Sequence, residues 1–276
     1  MRFAWPLAAS IADQIHAPPL VADPAMAERH HERFMDAVAA CDDAILAQEI
    51  GECLADGNIS AVLSSIFGNS PYLSHCAVRD PAFTAALLRH GPDAGFAALL
   101  RDLRAEAAAH TDIAALMRGL RVAKRRAALL IGLADIAGLW PLERVTAALS
   151  TLADNALSAA AAHLLAAAHQ AGEIILPHPD QPERDSGLVI LGMGKLGGLE
   201  LNYSSDIDII VFYDPDALAY RGRKSLGEMF IRLARDLVRI MEERTGDGYV
   251  FRSDLRRRPD PGSTPTAISL QAAELY

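Results

Sequence analysis

The hydrophobic positions of the first 170 residues recur with a helical period. Alanine and leucine dominate this stretch, and clusters of β-branched residues are few. Apolar residues spaced three or four positions apart predict amphipathic helices. The pattern predicts four helices, over residues 29–55, 81–107, 111–137 and 141–172. Glycine and proline clusters separate them: residues 68–71, residues 90–92, and Gly138 with Pro141.

The pattern changes after residue 175. Residues 175–187 contain three prolines and several charges, which is typical of a linker or domain boundary. Short apolar runs follow and predict strands, over residues 188–191, 207–212, 249–256 and 267–270, with a helix over 225–243. We therefore expect an α+β fold. Its all-helical region covers residues 1–180, and a small α/β domain covers residues 181–276.

Composition and charge narrow the function. A net charge of −9 argues against a general nucleic-acid binder, which needs excess lysine and arginine. The three cysteines form no C-x-x-C pair, so a reducing compartment is favoured over a disulfide framework. No apolar run is long enough to span a membrane, and the N-terminus makes a poor signal peptide. We expect a cytoplasmic protein with no membrane partner.

A basic cluster falls on the predicted helix over residues 111–137. We interpret it as a solvated helix face, with a docking surface for a protein as the alternative. Its members are Arg118, Arg121, Lys124, Arg125 and Arg126.

Residues 192–214, GMGKLGGLELNYSSDIDIIVFYD, contain two motifs that point to different chemistries. Gly192, Gly194 and Gly197 spell G-x-G-x-x-G, the fingerprint of a dinucleotide-binding fold. That fold needs a helix after the glycines. Only seven residues separate Gly198 from Asp206, too few for a βαβ crossover. The spacing therefore disfavours a dinucleotide site.

The second motif is the pair Asp206 and Asp208 at the start of a predicted strand. Residues two apart in a strand point to the same face, so both carboxylates suit a hard cation such as Mg²⁺. On its own such a pair is more often two surface acids. A third acid, Asp254, lies on a later strand and is flanked by Arg252, Arg256 and Arg258. A glycine turn, a D-x-D strand and a third acid match the layout of the nucleotidyltransferase superfamily, in which three acids hold two metal ions.

The exact sequence of these motifs points to one family within that superfamily. Residues 192–214, together with GYVFRSDLRRRPDPGSTPTAISL at 248–270, closely resemble the family of bifunctional glutamine synthetase adenylyltransferase/adenylyl-removing enzymes. Three upstream segments are also similar to that family: residues 65–81, 120–140 and 148–157. Family members are longer and carry two nucleotidyltransferase domains. The chain is similar to the N-terminal, adenylyl-removing part, and we expect it to be a truncated piece that stops at Tyr276.

The resemblance implies a reaction and its participants. Inorganic phosphate attacks tyrosyl-AMP on glutamine synthetase and yields ADP and free tyrosine, with Mg²⁺ as the cofactor and the PII signalling protein as a regulator. It also implies a set of roles: Asp206, Asp208 and Asp254 as catalytic metal ligands, Gly194, Lys195 and Ser205 near the nucleotide phosphates, and Arg256 and Arg258 at the incoming phosphate. Two alternatives remain. One is a non-catalytic module that binds a nucleotide or a protein, and the other is an NAD-binding protein.

Overall fold

The computed structural model describes residues 3, 5, 11–109, 112–257 and 262–274, apart from the side chains of residues 106–109. These residues group into two compact units. The first draws on residues 1–101 and 123–145, and the second on residues 102–122 and 146–276. The division into domains at residue 180 stays a prediction.

Helices dominate the described chain up to residue 170, as the hydrophobic pattern predicts. In order they are a short 3-10 helix (Ile11–Gln14), α1 (Pro24–Ala40), α2 (Ala44–Ala55), α3 (Gly57–Asn69), α4 (Pro71–Arg79), α5 (Pro81–Ala109), α6 (Ile113–Ile136) and α7 (Leu142–Gln170). None of the helices in the described ranges has the length and apolar character needed to cross a membrane.

Local capping explains why some helix boundaries differ from those that the hydrophobic pattern predicts. The span predicted as one helix over 29–55 is two helices, because Asp42 has a φ of 48° and the Asp43 carboxylate accepts the first free amides of α2. Helices α3 and α4 were not predicted. The Ser70 side chain caps α4, so the breaker at residues 68–71 is a corner between two helices. The breaker at residues 90–92 is a kink within α5, where Gly91 has a φ of 80°.

The second unit contains the sheet. Its strands are β2 (Leu188–Gly192), β3 (Ile207–Tyr213), β5 (Ser253–Asp254) and β6 (Ala267–Ser269). Strand β3 pairs antiparallel with β2 on one side, and on the other side it pairs in parallel with β5 and then β6. A separate two-stranded sheet joins β1 (Ile174–Ile175) to β4 (Ala219–Tyr220). Helices followed by a small mixed sheet confirm the α+β expectation.

Two short helices and one long helix complete this unit. They are α8 (Gly194–Gly197), α9 (Leu226–Glu242) and α10 (Leu270–Ala273). Helix α9 buries one apolar stripe, and its Phe230 ring stacks on Tyr213 of β3 at 4.6 Å between centroids. Only the four-residue α8 follows the glycines, and β2 and β3 are antiparallel. This topology rules out the parallel βαβ unit that a dinucleotide fold requires.

The buried side chain of Arg121 connects α6 to the end of α9 within the second unit. Its guanidinium donates to backbone carbonyl oxygens of Met117 (2.8 Å), Gly248 (2.9 Å), Ile240 (3.1 Å) and Glu243. Burial lowers the pKa of this arginine, while the carbonyls at the end of α9 favour its positive charge. The prediction of a solvated face is therefore wrong for Arg121, which is 1% exposed.

Candidate active site

The strand register brings two of the predicted carboxylates together. Asp208 of β3 is the direct parallel partner of Asp254 of β5. Directly paired residues in adjacent strands point to the same face of a sheet. Asp206 precedes Asp208 by two positions and so shares that face. Asp208 and Asp254 are therefore neighbours at the start of β3, and Asp206 lies one residue before that strand.

The glycine turn lies against this group. The amide of Met193 donates to the carbonyl oxygen of Asp208 at 2.8 Å. Gly194 has a φ of +53°, and a Cβ added there would stand 3.0 Å from the Asp208 Oδ2. A Cβ on Gly197 would come within 2.5 Å of the carbonyl oxygen of Gly192. Gly197 has no room for a Cβ, and Gly194 combines a left-handed φ with a close approach to the Asp208 carboxylate, so both positions favour glycine.

Each carboxylate faces an arginine from the segment around β5. Arg252 Nε donates to Asp206 Oδ1 at 2.5 Å. Arg257 Nε lies 3.5 Å from Asp208 Oδ1. Arg256 engages both oxygens of Asp254, with its Nη2 at 2.7 Å from Oδ2. Each of the three acids is thus paired with its own arginine.

The pairing with arginine sets the protonation of these groups. Hydrogen bonds from the side chain and backbone of Arg256 lower the pKa of Asp254 to about 2. The hydrogen bond to Asp206 raises the pKa of Arg252. Asp254 is therefore a carboxylate over the whole physiological range, which is the form that binds cations.

Helix α9 fixes the position of β5 through a residue that the motifs did not reveal. The Glu242 Oε1 at the end of α9 accepts the backbone amide of Ser253 at 2.5 Å. The backbone carbonyl of Arg252 accepts the amide of Ile207 at 2.8 Å. Asp254 is therefore placed from two sides, by α9 and by β3.

The remaining predicted residues differ in where they lie. Lys195 is exposed in α8, and Ser205 is half-buried just before Asp206. Within the described ranges, no hydrogen bond or ion pair joins the side chain of either residue to the three carboxylates. Arg258 lies outside the described residues. Their roles at the phosphates stay predictions.

Two arginines at the site were not among the predicted site residues. Period-2 alternation placed Arg252, Arg256 and Arg258 on the same face as Asp254. The predicted strand over 249–256 is only β5, however, and residues 256–257 form a turn. In that turn both Arg256 and Arg257 reach carboxylates. The run of three arginines after Asp254 was the available signal for Arg257, and Arg252 had been placed on the face of Asp254 without a role at the site.

The donor chemistry at the site fits a divalent cation. Three carboxylates supply hard oxygen ligands, and the glycine backbone at Gly194 lies close beside Asp208. In the described part of the chain, no three acidic, histidine or cysteine side chains already converge into a metal-binding group. Each of the three carboxylates is paired with an arginine instead. A cation that binds here would displace part of that pairing.

Comparisons with known proteins agree with the motifs. The sequence model of the glutamate-ammonia ligase adenylyltransferase family matches residues 60–276. Curated relatives named bifunctional glutamine synthetase adenylyltransferase/adenylyl-removing enzyme are similar to the chain. The relative from Rhodopseudomonas palustris is 49% identical over 79% of this chain, that from Bradyrhizobium diazoefficiens 42% over 97%, and that from Rhizobium meliloti 46% over 80%. These matches cover 22%, 26% and 23% of the relatives' own lengths, so the chain spans about a quarter of each. The resemblance found in the motifs is confirmed.

Proposed function

Because the chain belongs to the glutamate-ammonia ligase adenylyltransferase family, we propose that its site removes AMP from a tyrosine of glutamine synthetase. In this reaction an oxygen of inorganic phosphate attacks the α-phosphorus of tyrosyl-AMP. The bond between that phosphorus and the tyrosine oxygen breaks, and a bond to the phosphate oxygen forms. The products are ADP and a tyrosinate, which takes a proton from water.

One observation carries the proposal: Asp208 and Asp254 are register partners beside a glycine turn in which Gly197 has no room for a Cβ. Phosphoryl and nucleotidyl transfer depend mainly on positioning and on neutralising charge. A carboxylate group next to an open backbone turn suits this demand, because the turn lets phosphate oxygens approach closely.

The residues of the site divide the work between them. Asp206, Asp208 and Asp254 would hold a divalent cation, for which Mg²⁺ is our proposal, and the bound ion supplies positive charge to the phosphate oxygens and to the leaving tyrosinate. Arginines released from the acids carry forked donors that match phosphate geometry. We propose Arg256 and Arg258 for the incoming phosphate, as the family resemblance implies. Arg252 and Arg257 are added because each faces a carboxylate of the site.

The residues of the glycine turn bind the nucleotide. Gly194 lets the backbone approach the phosphates, and Lys195 in α8 adds a positive charge near them. Ser205 supplies a hydroxyl donor at the entrance to β3. The family resemblance supports these roles, and it alone supports the PII signalling protein as the regulator.

The experiment is an assay of ADP release from adenylylated glutamine synthetase with phosphate and Mg²⁺. We expect the double variant Asp206→Asn and Asp208→Asn to lose this release, because the pair supplies two of the three acidic ligands. The matched control is Asp216→Asn, an exposed acid on the loop after β3. Release that survives in the double variant would overturn the proposal.

Binding without turnover points to the alternative function. If the chain binds ADP but releases none from adenylylated glutamine synthetase, it is a nucleotide- or protein-binding module. Titration with NAD in the absence of Mg²⁺ tests the third candidate, and the antiparallel β2–β3 pair predicts no binding.

A further inference from the structure

Strand β2 forms an edge of the sheet, and α8 lies against the outer side of its last residue, because a Cβ on Gly197 would stand 2.5 Å from the Gly192 carbonyl oxygen. Two backbone bonds fix which peptide groups face β3, because Asp214 donates to Gly187 and Met193 donates to Asp208. In an antiparallel pair the bonded residues alternate. The peptide groups of Leu188, Ile190 and Gly192 therefore point away from β3. The amide of Leu188 binds the Ser186 hydroxyl at 3.3 Å, and in the described part of the chain no strand pairs with the outer side of β2.

Strand β2 lacks the features that normally keep an exposed edge strand from pairing with another chain. Exposed edges are usually interrupted by proline, lysine or a bulge, or kept very short. Strand β2 reads LVILG over five residues, without charge or proline. The side chains of Val189 and Leu191 are 44% and 46% exposed. The apolar edge around Ile190 is a template for another strand.

A cavity of about 330 Å³ runs beside the same edge. Its lining includes Leu188, Ile190 and Gly192 of β2, Asp154 and Ser158 of α7, and Glu183. The Ser158 hydroxyl donates to the Glu183 carboxylate. Burial raises the pKa of both Asp154 and Glu183, because it penalises their charged forms, and a positive group in the cavity would offset that penalty.

From these features we infer that β2 docks an extended segment of a partner protein, which adds a strand to the sheet and places a lysine or arginine between Asp154 and Glu183. The backbone of Ile190 supplies one donor and one acceptor to that strand, and the cavity takes its alternate side chains. This is strand addition at a sheet edge, in which the backbone gives affinity and the pocket gives specificity. The inference does not depend on the proposed reaction.

The charges favour a basic partner over a second copy of this chain. Two copies paired through β2 would bring Asp154 and Glu183 of each into the same region. Like charges in a pairing site oppose association, and the chain as a whole carries −9. A basic segment would instead be attracted by these negative charges.

The test uses the full chain and a soluble, end-capped peptide in which valine and lysine alternate, with a fluorescent label. We expect binding by fluorescence anisotropy and slower amide exchange at Ile190 in NMR spectra of the labelled protein. The control peptide, with glutamate in place of every lysine, should bind more weakly. Equal binding of the two peptides would overturn the charge assignment, and unchanged exchange at Ile190 would overturn the strand addition.

Two sets of variants separate the contributions. Ile190→Pro removes the outward amide without removing a bond to β3, and it should weaken binding roughly three- to tenfold, the worth of one hydrogen bond. Ile190→Val keeps that amide and should bind like the parent. If the proline variant does not fold, Asp154→Asn with Glu183→Gln serves instead and should weaken binding roughly two- to fivefold. A dimer that forms through β2 without peptide, seen by sedimentation, would assign the edge to a second copy and refute the inference.

Discussion

Replacing Arg121 with methionine tests whether one buried cation holds the second unit together. The guanidinium donates to four backbone carbonyls, three of which belong to the end of α9 and the following turn. Methionine keeps most of the apolar stem but donates nothing. Hydrogen bonds from a charged donor contribute roughly 1.5–3 kcal/mol each. Removing the charge also relieves a desolvation cost of several kcal/mol, so we expect a net loss of about 2–4 kcal/mol in the free energy of unfolding.

The assay is urea unfolding followed by circular dichroism, with amide exchange at Ile240 as the local measure. Arg118→Met is the matched control, since Arg118 is exposed and lies less than one turn earlier in α6. It should change the free energy by less than about 0.5 kcal/mol. Arg121→Lys keeps the positive charge but loses the forked guanidinium donors, and its free energy of unfolding should lie between those of the two methionine variants. The reasoning fails if Arg121→Met and Arg118→Met unfold at the same urea concentration, or if exchange at Ile240 is unchanged.

Three further predictions concern the site and the first unit. Gly194→Ala should lower the free energy of unfolding by roughly 1–2 kcal/mol, because alanine resists the left-handed conformation. It should also reduce ADP release, because the added methyl group would contact the Asp208 carboxylate. The control Gly198→Ala, whose nearest neighbour would be 3.5 Å away, should change neither stability nor ADP release. Arg257→Gln should tighten Mg²⁺ binding, measured by calorimetry, because it removes an internal competitor for Asp208; weaker binding would contradict this. Burial raises the pKa of Cys76 from 9.0 to about 11, so folding favours the neutral thiol, and this thiol's contribution to stability falls as pH rises from 9 to 11. Cys76→Val should remove that fall in urea titrations across the same range, whereas an unchanged pH slope would show that the thiol is not its source.

Much of the fold was predictable because the strongest signals are local. The apolar run in β3 and the stripe of α9 are periodic over many residues, and the structure places both where the pattern predicts. The pairing of Asp208 with Asp254 followed from a motif and a third acid further along the chain. Helix boundaries were less accurate, since a single left-handed residue such as Asp42 splits a helix without disturbing its hydrophobic period.

The missed features depend on tertiary contacts. A buried arginine such as Arg121 has the same sequence signature as a solvated one, because its partners are carbonyl oxygens far along the chain. Arg257 reaches Asp208 only because β5 ends at Asp254 and the chain turns. Strands β1 and β4 have two residues each, which is too short for any period to show, so residues 175–187 resembled a free linker.

The pairing of β1 with β4 has a practical consequence for protease digestion. Residues 176–187 run between elements that hold each other independently of this loop. Strand β1 lies before it and β4 after it, and Ser150 of α7 accepts the amide of Leu201 at 3.1 Å. A cut in the loop should therefore nick the polypeptide without releasing a fragment. The two pieces would migrate as one species under native conditions and separate only in denaturant.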